Sequence, residues 1–275
     1  MQTARTIAQA RALFGASQRP LGFVPTMGAL HAGHLELVRQ AREQSRTAVV
    51  SIFVNPLQFG AGEDLATYPR DEAADRAKLE EAGVDVLFAP GVDAMYGPGF
   101  TTSVDVGPPG ATFEGAVRPH HFRGVTTVIA KLLNVVRPDR LYLGQKDAQQ
   151  VAILSKMIRE LNVPVEVRIV PTVREPDGLA MSSRNRYLDA EARTAAPTLH
   201  RALRAVRDAL ERGSTKGDAI AAGTSALSRA ATLDYLDVVD ADTFEPLERL
   251  RPPAFIVGAA RFGGTRLIDN LWVTP

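Results

Sequence analysis

The chain has no cysteine among its 275 residues. That excludes disulfides, cysteine-ligated zinc and thiol catalysis. It has almost no net charge: 32 Lys and Arg against 31 Asp and Glu leave +1. A chain-wide electrostatic footprint for nucleic acid is therefore missing. No run approaches the roughly 20 apolar residues of a membrane span. Residues 1–7 lack the apolar centre of a signal peptide. These absences point to a cytoplasmic protein without a membrane or nucleic-acid partner. Three catalytic signatures are absent as well. There is no G-x-x-x-x-G-K-[ST], no H-E-x-x-H and no G-x-S-x-G, so P-loop hydrolysis has no support.

What is present is the balance of a globular enzyme, with 45% hydrophobic and 23% charged residues. Up to about residue 172, short β-rich runs at 21–24, 48–54, 84–88, 140–143 and 165–170 alternate with helical patterns near 33–45, 71–81, 125–136 and 148–161. That rhythm predicts an α/β fold with a parallel sheet covered on both faces, binding ligands beyond the carboxyl ends of its strands. A Gly- and Pro-rich stretch from Tyr96 to Gly124 interrupts the rhythm and reads as a small insertion with short strands around 102–106. After Val173, long helical patterns at 189–212 and 217–231 precede strands at 235–239, 254–260 and 265–273. The predicted organisation is residues 1–172 as the first domain and 173–275 as a second, smaller α+β domain.

Chemistry concentrates first in Pro25-Thr26-Met27-Gly28-Ala29-Leu30-His31-Ala32-Gly33-His34, between a strand and a helix. The opening amides of a helix lack partners within it and its dipole adds partial positive charge, which suits phosphate. His31 and His34, three apart, would share one face of the first turn. A single histidine there would favour a surface or structural role, whereas H-x-G-H after a strand and before a helix favours function.

Three further segments fall just after predicted strands or at the domain junction. In Asn55-Pro56-Leu57-Gln58, uncharged amides beside apolar residues suit a small polar organic substrate. In Gly144-Gln145-Lys146-Asp147, Gly144 permits close approach, Lys146 supplies a mobile cation for phosphate charge, and Asp147 can cap the helix that follows. Gln150 lies about one turn into that helix. In Met181-Ser182-Ser183-Arg184, two hydroxyls and a guanidinium can bind phosphate oxygens, whereas alone the segment would pass for a polar linker. Together the motifs favour a nucleoside triphosphate attacked at its α-phosphate. His121 is a loop histidine for which lining a site and a bland role weigh equally.

With these residues in hand, the chain resembles the pantothenate synthetase (pantoate–β-alanine ligase) family along nearly its full length. The resemblance rests on Pro25 to His34, Phe53 to Gly60, His121 to Gly124, Gly144 to Gln150, Pro171 to Arg174 and Gly178 to Tyr187. It implies a Rossmann-like nucleotidylyltransferase domain, with the smaller domain closing over the active site. The implied reaction joins (R)-pantoate to β-alanine through a pantoyl adenylate, with ATP as co-substrate and Mg²⁺ present. The resemblance also implies that Met27, Gly28, Ala29, Leu30, His31, Ala32, Gly33 and His34 surround ATP. With them would stand Gly144, Gln145, Lys146, Asp147, Val173, Met181, Ser182, Ser183 and Arg184.

By the same resemblance, Gln58 and Gln150 would hold pantoate, and Gln58 would also meet β-alanine. His34 would donate a proton, His31 and Lys146 would stabilise phosphate charge, and Ser182, Ser183 and Arg184 complete the catalytic set. Gln145 stands where members of the family more commonly carry Glu. Asp75 is a candidate to help position Mg²⁺, set against a solvated helix face, and the metal ligands remain unassigned. A cytoplasmic homodimer is the implied assembly. Two other readings stay open: another H-x-G-H nucleotidylyltransferase, or a non-catalytic nucleotide- or RNA-binding relative.

Overall fold

The computed structural model of the chain describes residues 1–60, 62–63 and 65–274. Two units emerge: Met1–Gly144 with Ile153–Val170, and Gln145–Ala152 with the chain from Pro171 onward. The first unit is built on six strands, β1 (Gln2–Ala4), β2 (Leu21–Thr26), β3 (Thr47–Ile52), β4 (Val86–Phe88), β5 (Arg140–Gly144) and β6 (Glu166–Val170). Every pairing is parallel, in the order β1-β4-β3-β2-β5-β6. Phe23, Val24, Val49, Val50, Leu87 and Leu141 are all buried, as expected when helices cover both faces of a parallel sheet. From β2 the chain moves outward to β3 and β4, then returns to the other side of β2 at β5. That reversal makes the carboxyl ends of β2 and β5 the place where such sheets receive ligands.

The longer helices are α1 (Ile7–Gly15), α2 (Ala32–Gln44), α3 (Glu72–Glu81), α4 (His121–Val136) and α5 (Ala148–Glu160), the first turn of which belongs to the second unit. Val38 and Ala41 of α2 pack with Val24, Val50, Leu79 and Leu87, which seats the helix on the sheet. The sequence pattern left β1 and α1 unassigned, although Thr6 and Gln9 form a reciprocal cap at the start of α1.

One expectation fails inside this unit. Residues 102–106 form no strand. The Val104 N–H donates to Thr127 Oγ1 at 3.0 Å and its carbonyl accepts from Thr126 Oγ1 at 2.6 Å. Hydroxyls of α4 thus take the hydrogen bonds that a neighbouring strand would have taken.

The second unit holds α6 (Ala190–Ala195), α7 (Thr198–Glu211), α8 (Lys216–Ala226) and an antiparallel sheet of β7 (Ala231–Asp240), β8 (Ala254–Phe262) and β9 (Thr265–Val273). The single helix expected over 189–212 is two, because Pro197 has no amide to continue the ladder. Leu203 and Val206 of α7 pack on Leu236, Val238 and Ile256 of the sheet. Gly263, at φ +58°, turns the chain between β8 and β9.

Candidate active site

The turn after β2 departs from ordinary backbone geometry. Gly28 has φ +83° and Ala29 φ +52°, and a left-handed conformation at Ala is costly without outside support. Asp75, buried in the first turn of α3, supplies that support: its Oδ2 accepts from Ala29 N at 2.7 Å and its Oδ1 from Leu30 N at 2.8 Å. A Cβ at Gly28 would lie 2.9 Å from Asp75 Oδ2 and 3.2 Å from Ile52 Cγ2, so glycine is required here twice over. Lys78 donates to the Leu30 carbonyl at 2.7 Å. The solvated-face reading of Asp75 is therefore corrected. Its carboxylate is buried and engages two backbone amides.

The clamp presents the two histidines. His31 is the N-cap of α2, its Nδ1 accepting from Gly33 N at 3.1 Å. His34 sits at the third helical position, and its Nδ1 faces the His31 N–H at 3.4 Å. Their ring centroids are 4.1 Å apart. In this arrangement a neutral ring uses Nδ1 as acceptor and carries its proton on Nε2. The histidines thus cap the start of α2, the structural role open to them.

The loop after β3 meets this turn. Asn55 and Gln58 are buried, and Gln58 Nε2 lies 3.1 Å from Met27 Sδ. Asn55 Nδ2 donates to Gln58 Oε1 at 3.0 Å and to the Gly124 carbonyl at 3.1 Å. Its Oδ1 accepts from Leu57 N at 3.2 Å and from Tyr96 Oη at 2.8 Å. Gln58 thus accepts from Asn55 at its oxygen and donates from Nε2 toward Met27 Sδ. Gly124 lets α4 approach this turn: a Cβ there would stand 2.6 Å from Gln58 N.

His121 supports the same turn. Its Nδ1 is 2.8 Å from the Gln58 carbonyl and its Nε2 is 3.3 Å from Arg118 Nη1. The consistent tautomer donates from Nδ1 and accepts at Nε2. Burial first, and the Arg118 charge second, push its pKa down to about 4, so the ring is neutral. Arg118 donates from Nε to Glu63 Oε1 at 3.1 Å and from Nη2 to the Gln58 carbonyl at 3.3 Å. The cation beside Gln58 is thereby paired with a carboxylate.

The remaining expected residues lie in the second unit. Gln145, Lys146 and Asp147 form a 3₁₀ turn directly after Gly144 ends β5, and Gln150 lies in the first turn of α5. Lys146 Nζ is 3.4 Å from Asp147 Oδ1. Val173 and Met181 are brought together by a Met181 N–H to Val173 carbonyl bond of 2.9 Å. Ser182 caps the 3₁₀ turn Ser183–Tyr187, its Oγ accepting from Arg184 N at 3.2 Å. Arg174 pairs bidentately with buried Asp269, at 2.7 and 2.9 Å. His200 Nδ1 is 3.7 Å from the same carboxylate. Burial first, then the Arg174 charge, lower the His200 pKa.

Comparison with known proteins decides the family. The sequence model described as Pantoate-beta-alanine ligase matches residues 2–272. The chain belongs to the pantoate–β-alanine ligase family. It is accordingly a ligase with the nucleotidylyltransferase fold, and the non-catalytic reading is not favoured. The pantothenate synthetase of Roseiflexus castenholzii is 51% identical over 273 residues, covering 98% of each chain. The crystal structure of pantothenate synthetase from Thermus thermophilus superposes with a TM-score of 0.95 at 52% identity, covering 100% of both chains. That of the ligase from Francisella tularensis, complexed with β,γ-ATP and β-alanine, gives a TM-score of 0.82 at 33% identity, over 99% of this chain and 97% of that one.

Sequence reasoning did not single out several residues that hold these segments in place. Tyr96, Arg118 and Glu63 bear on Gln58, and Asp269 and Asn270 bear on the second unit's loops. β9 places two adjacent polar residues, Asp269 and Asn270, between Leu267-Ile268 and Leu271-Trp272-Val273, and both are buried. That was the one available signal.

Proposed function

We propose that these residues carry out pantoate adenylation and its capture by β-alanine as follows. The pantoate carboxylate attacks the α-phosphorus of ATP and pyrophosphate leaves, giving pantoyl adenylate. The β-alanine amine then attacks the acyl carbon, forming the amide and releasing AMP. No enzyme nucleophile is needed, because the substrate carboxylate serves.

The observation that carries this reading is the double cap at the start of α2. With both Nδ1 atoms turned to backbone N–H groups, the Nε2–H groups of His31 and His34 become the donors for negative charge growing on phosphate oxygens. Lys146, Ser182, Ser183 and Arg184 add cationic and hydroxyl donors to ATP. Gln58, with its oxygen held by Asn55, donates to pantoate and then stands beside β-alanine, and Gln150 holds pantoate from α5. Because Arg118 is paired with Glu63, the Gln58 pocket has no unpaired cation from that side chain for a second phosphate. This favours pantoate over a phosphorylated acceptor.

Among the described residues no group of three or more His, Asp or Glu is arranged to hold a metal, and Asp75 is committed to the turn. The residues do not form a Mg²⁺ cage; the ion would enter on the phosphates of ATP, keeping several waters. Among those residues no helix is long and apolar enough to cross a membrane. A cytoplasmic homodimer completes the reading.

The test is a two-stage assay: pyrophosphate release from ATP with pantoate alone, then AMP release once β-alanine is added. His34→Ala and Lys146→Ala should fold and lose most of the first stage, whereas Gln58→Ala should chiefly raise the KM for pantoate. Pantoate that elicits no pyrophosphate would refute the reaction, and normal turnover in a variant would remove that residue from it.

A further inference from the structure

The second unit contains a polar cluster that touches none of the reacting groups named above, yet grips the loops that carry them. Asn270, in β9, is 1% exposed. Its Nδ2 donates to the Gln145 carbonyl and to the Lys146 carbonyl, both at 2.9 Å. Its Oδ1 accepts from Gln145 Nε2 at 3.0 Å. Both amide donors and the acceptor are therefore spent on the two residues that set the direction of the Lys146 side chain.

Asn270 is itself held. Arg174 Nη2 donates to its carbonyl at 3.1 Å, and Asp269 Oδ1 accepts from its N–H at 2.7 Å. The same Arg174 donates to the Gly178 carbonyl at 3.1 Å, within the turn leading to Met181-Ser182-Ser183-Arg184. One strand thus anchors both segments.

We propose that Asn270 is a positioning residue that fixes Lys146 through the carbonyls of residues 145 and 146. This rests on the role given to Lys146 above. The turn Gln145–Asp147 is a 3₁₀ segment, whose own hydrogen bonding is poorer than that of an α-helix, so an external clamp has more to contribute. Misplacement of a catalytic group by about 1 Å can cost on the order of a hundredfold in rate.

The experiment is a double-mutant cycle on pyrophosphate release at saturating ATP and pantoate. Asn270→Ala removes the clamp; Asn270→Asp keeps the shape and the acceptor for Gln145 but sets a carboxylate oxygen against two carbonyls. Each should lower kcat about ten- to a hundredfold with little change in the KM for pantoate. In the Lys146→Ala background, the same substitutions should change the residual rate less than about twofold, because the group they position is gone. Full kcat in a folded Asn270 variant overturns the proposal. So does an equal loss in both backgrounds, which would mean that Asn270 supports the unit generally. If Asn270→Ala does not fold, Asn270→Asp decides. Normal kcat in Lys146→Ala alone refutes the earlier role of Lys146, whereas a slow Lys146→Ala beside normal Asn270 variants refutes only this proposal.

Discussion

Asp75→Asn isolates the clamp on the turn after β2 with one atom changed. The carboxylate accepts from Ala29 N and Leu30 N with separate oxygens. An amide has only one oxygen, so one N–H loses its acceptor and meets an NH₂ group. A hydrogen bond to a charged partner contributes roughly 1.5–3 kcal/mol, and an unsatisfied buried donor costs a similar amount. We expect a loss of about 2 kcal/mol from the ordered turn, which holds Ala29 at φ +52° against an intrinsic cost of about 1–2 kcal/mol. That corresponds to roughly a thirtyfold change in the local equilibrium, and it sets the upper limit on the rise in the KM for ATP. The assay is initial pyrophosphate release against ATP, with amide exchange at Ala29 and Leu30 and denaturant unfolding measured alongside. Exchange at those two amides should accelerate before global stability is lost. Unchanged exchange together with an unchanged KM for ATP would refute the clamp.

Two other outcomes follow from the Gln58 turn. His121 is held neutral with a pKa near 4 against an ordinary 6.5, so below the ordinary value the unfolded chain binds the extra proton and stability falls as pH drops from about 6.5 to 4, by up to on the order of 3 kcal/mol. His121→Asn should flatten the stability profile across that window, and an equally steep profile would exclude His121 as its source. Gly124→Ala would place a Cβ 2.6 Å from Gln58 N and 2.5 Å from the Leu57 carbonyl carbon, both backbone atoms with little room to yield. Unfolding studies should show about 1–3 kcal/mol of destabilisation together with a raised KM for pantoate; a wild-type value for both would contradict the close approach.

The parallel sheet was legible because buried strands read as apolar runs and helices as 3.6-residue patterns, and both signals are local. Where a local signal was absent or contradicted, the reading failed. Residues 102–106 carry strand-like residues but find hydroxyls of α4 instead of a neighbouring strand. The 189–212 pattern continues through Pro197, whose missing amide the periodicity does not register. The H-x-G-H segment stood out because a small-residue turn ahead of a helix has a backbone consequence that can be read from residue types alone.

By itself, then, the sequence determined the alternation of strands and helices and the pairing of His31 and His34 at a helix start. The tertiary structure alone decided how those residues are held. Asp75 lies 46 residues from Ala29, Tyr96 lies 41 from Asn55, and Asn270 lies 124 from Lys146. Hydrogen bonds across such separations depend on which backbone atoms the fold brings within about 3 Å, and no periodicity in the chain encodes that.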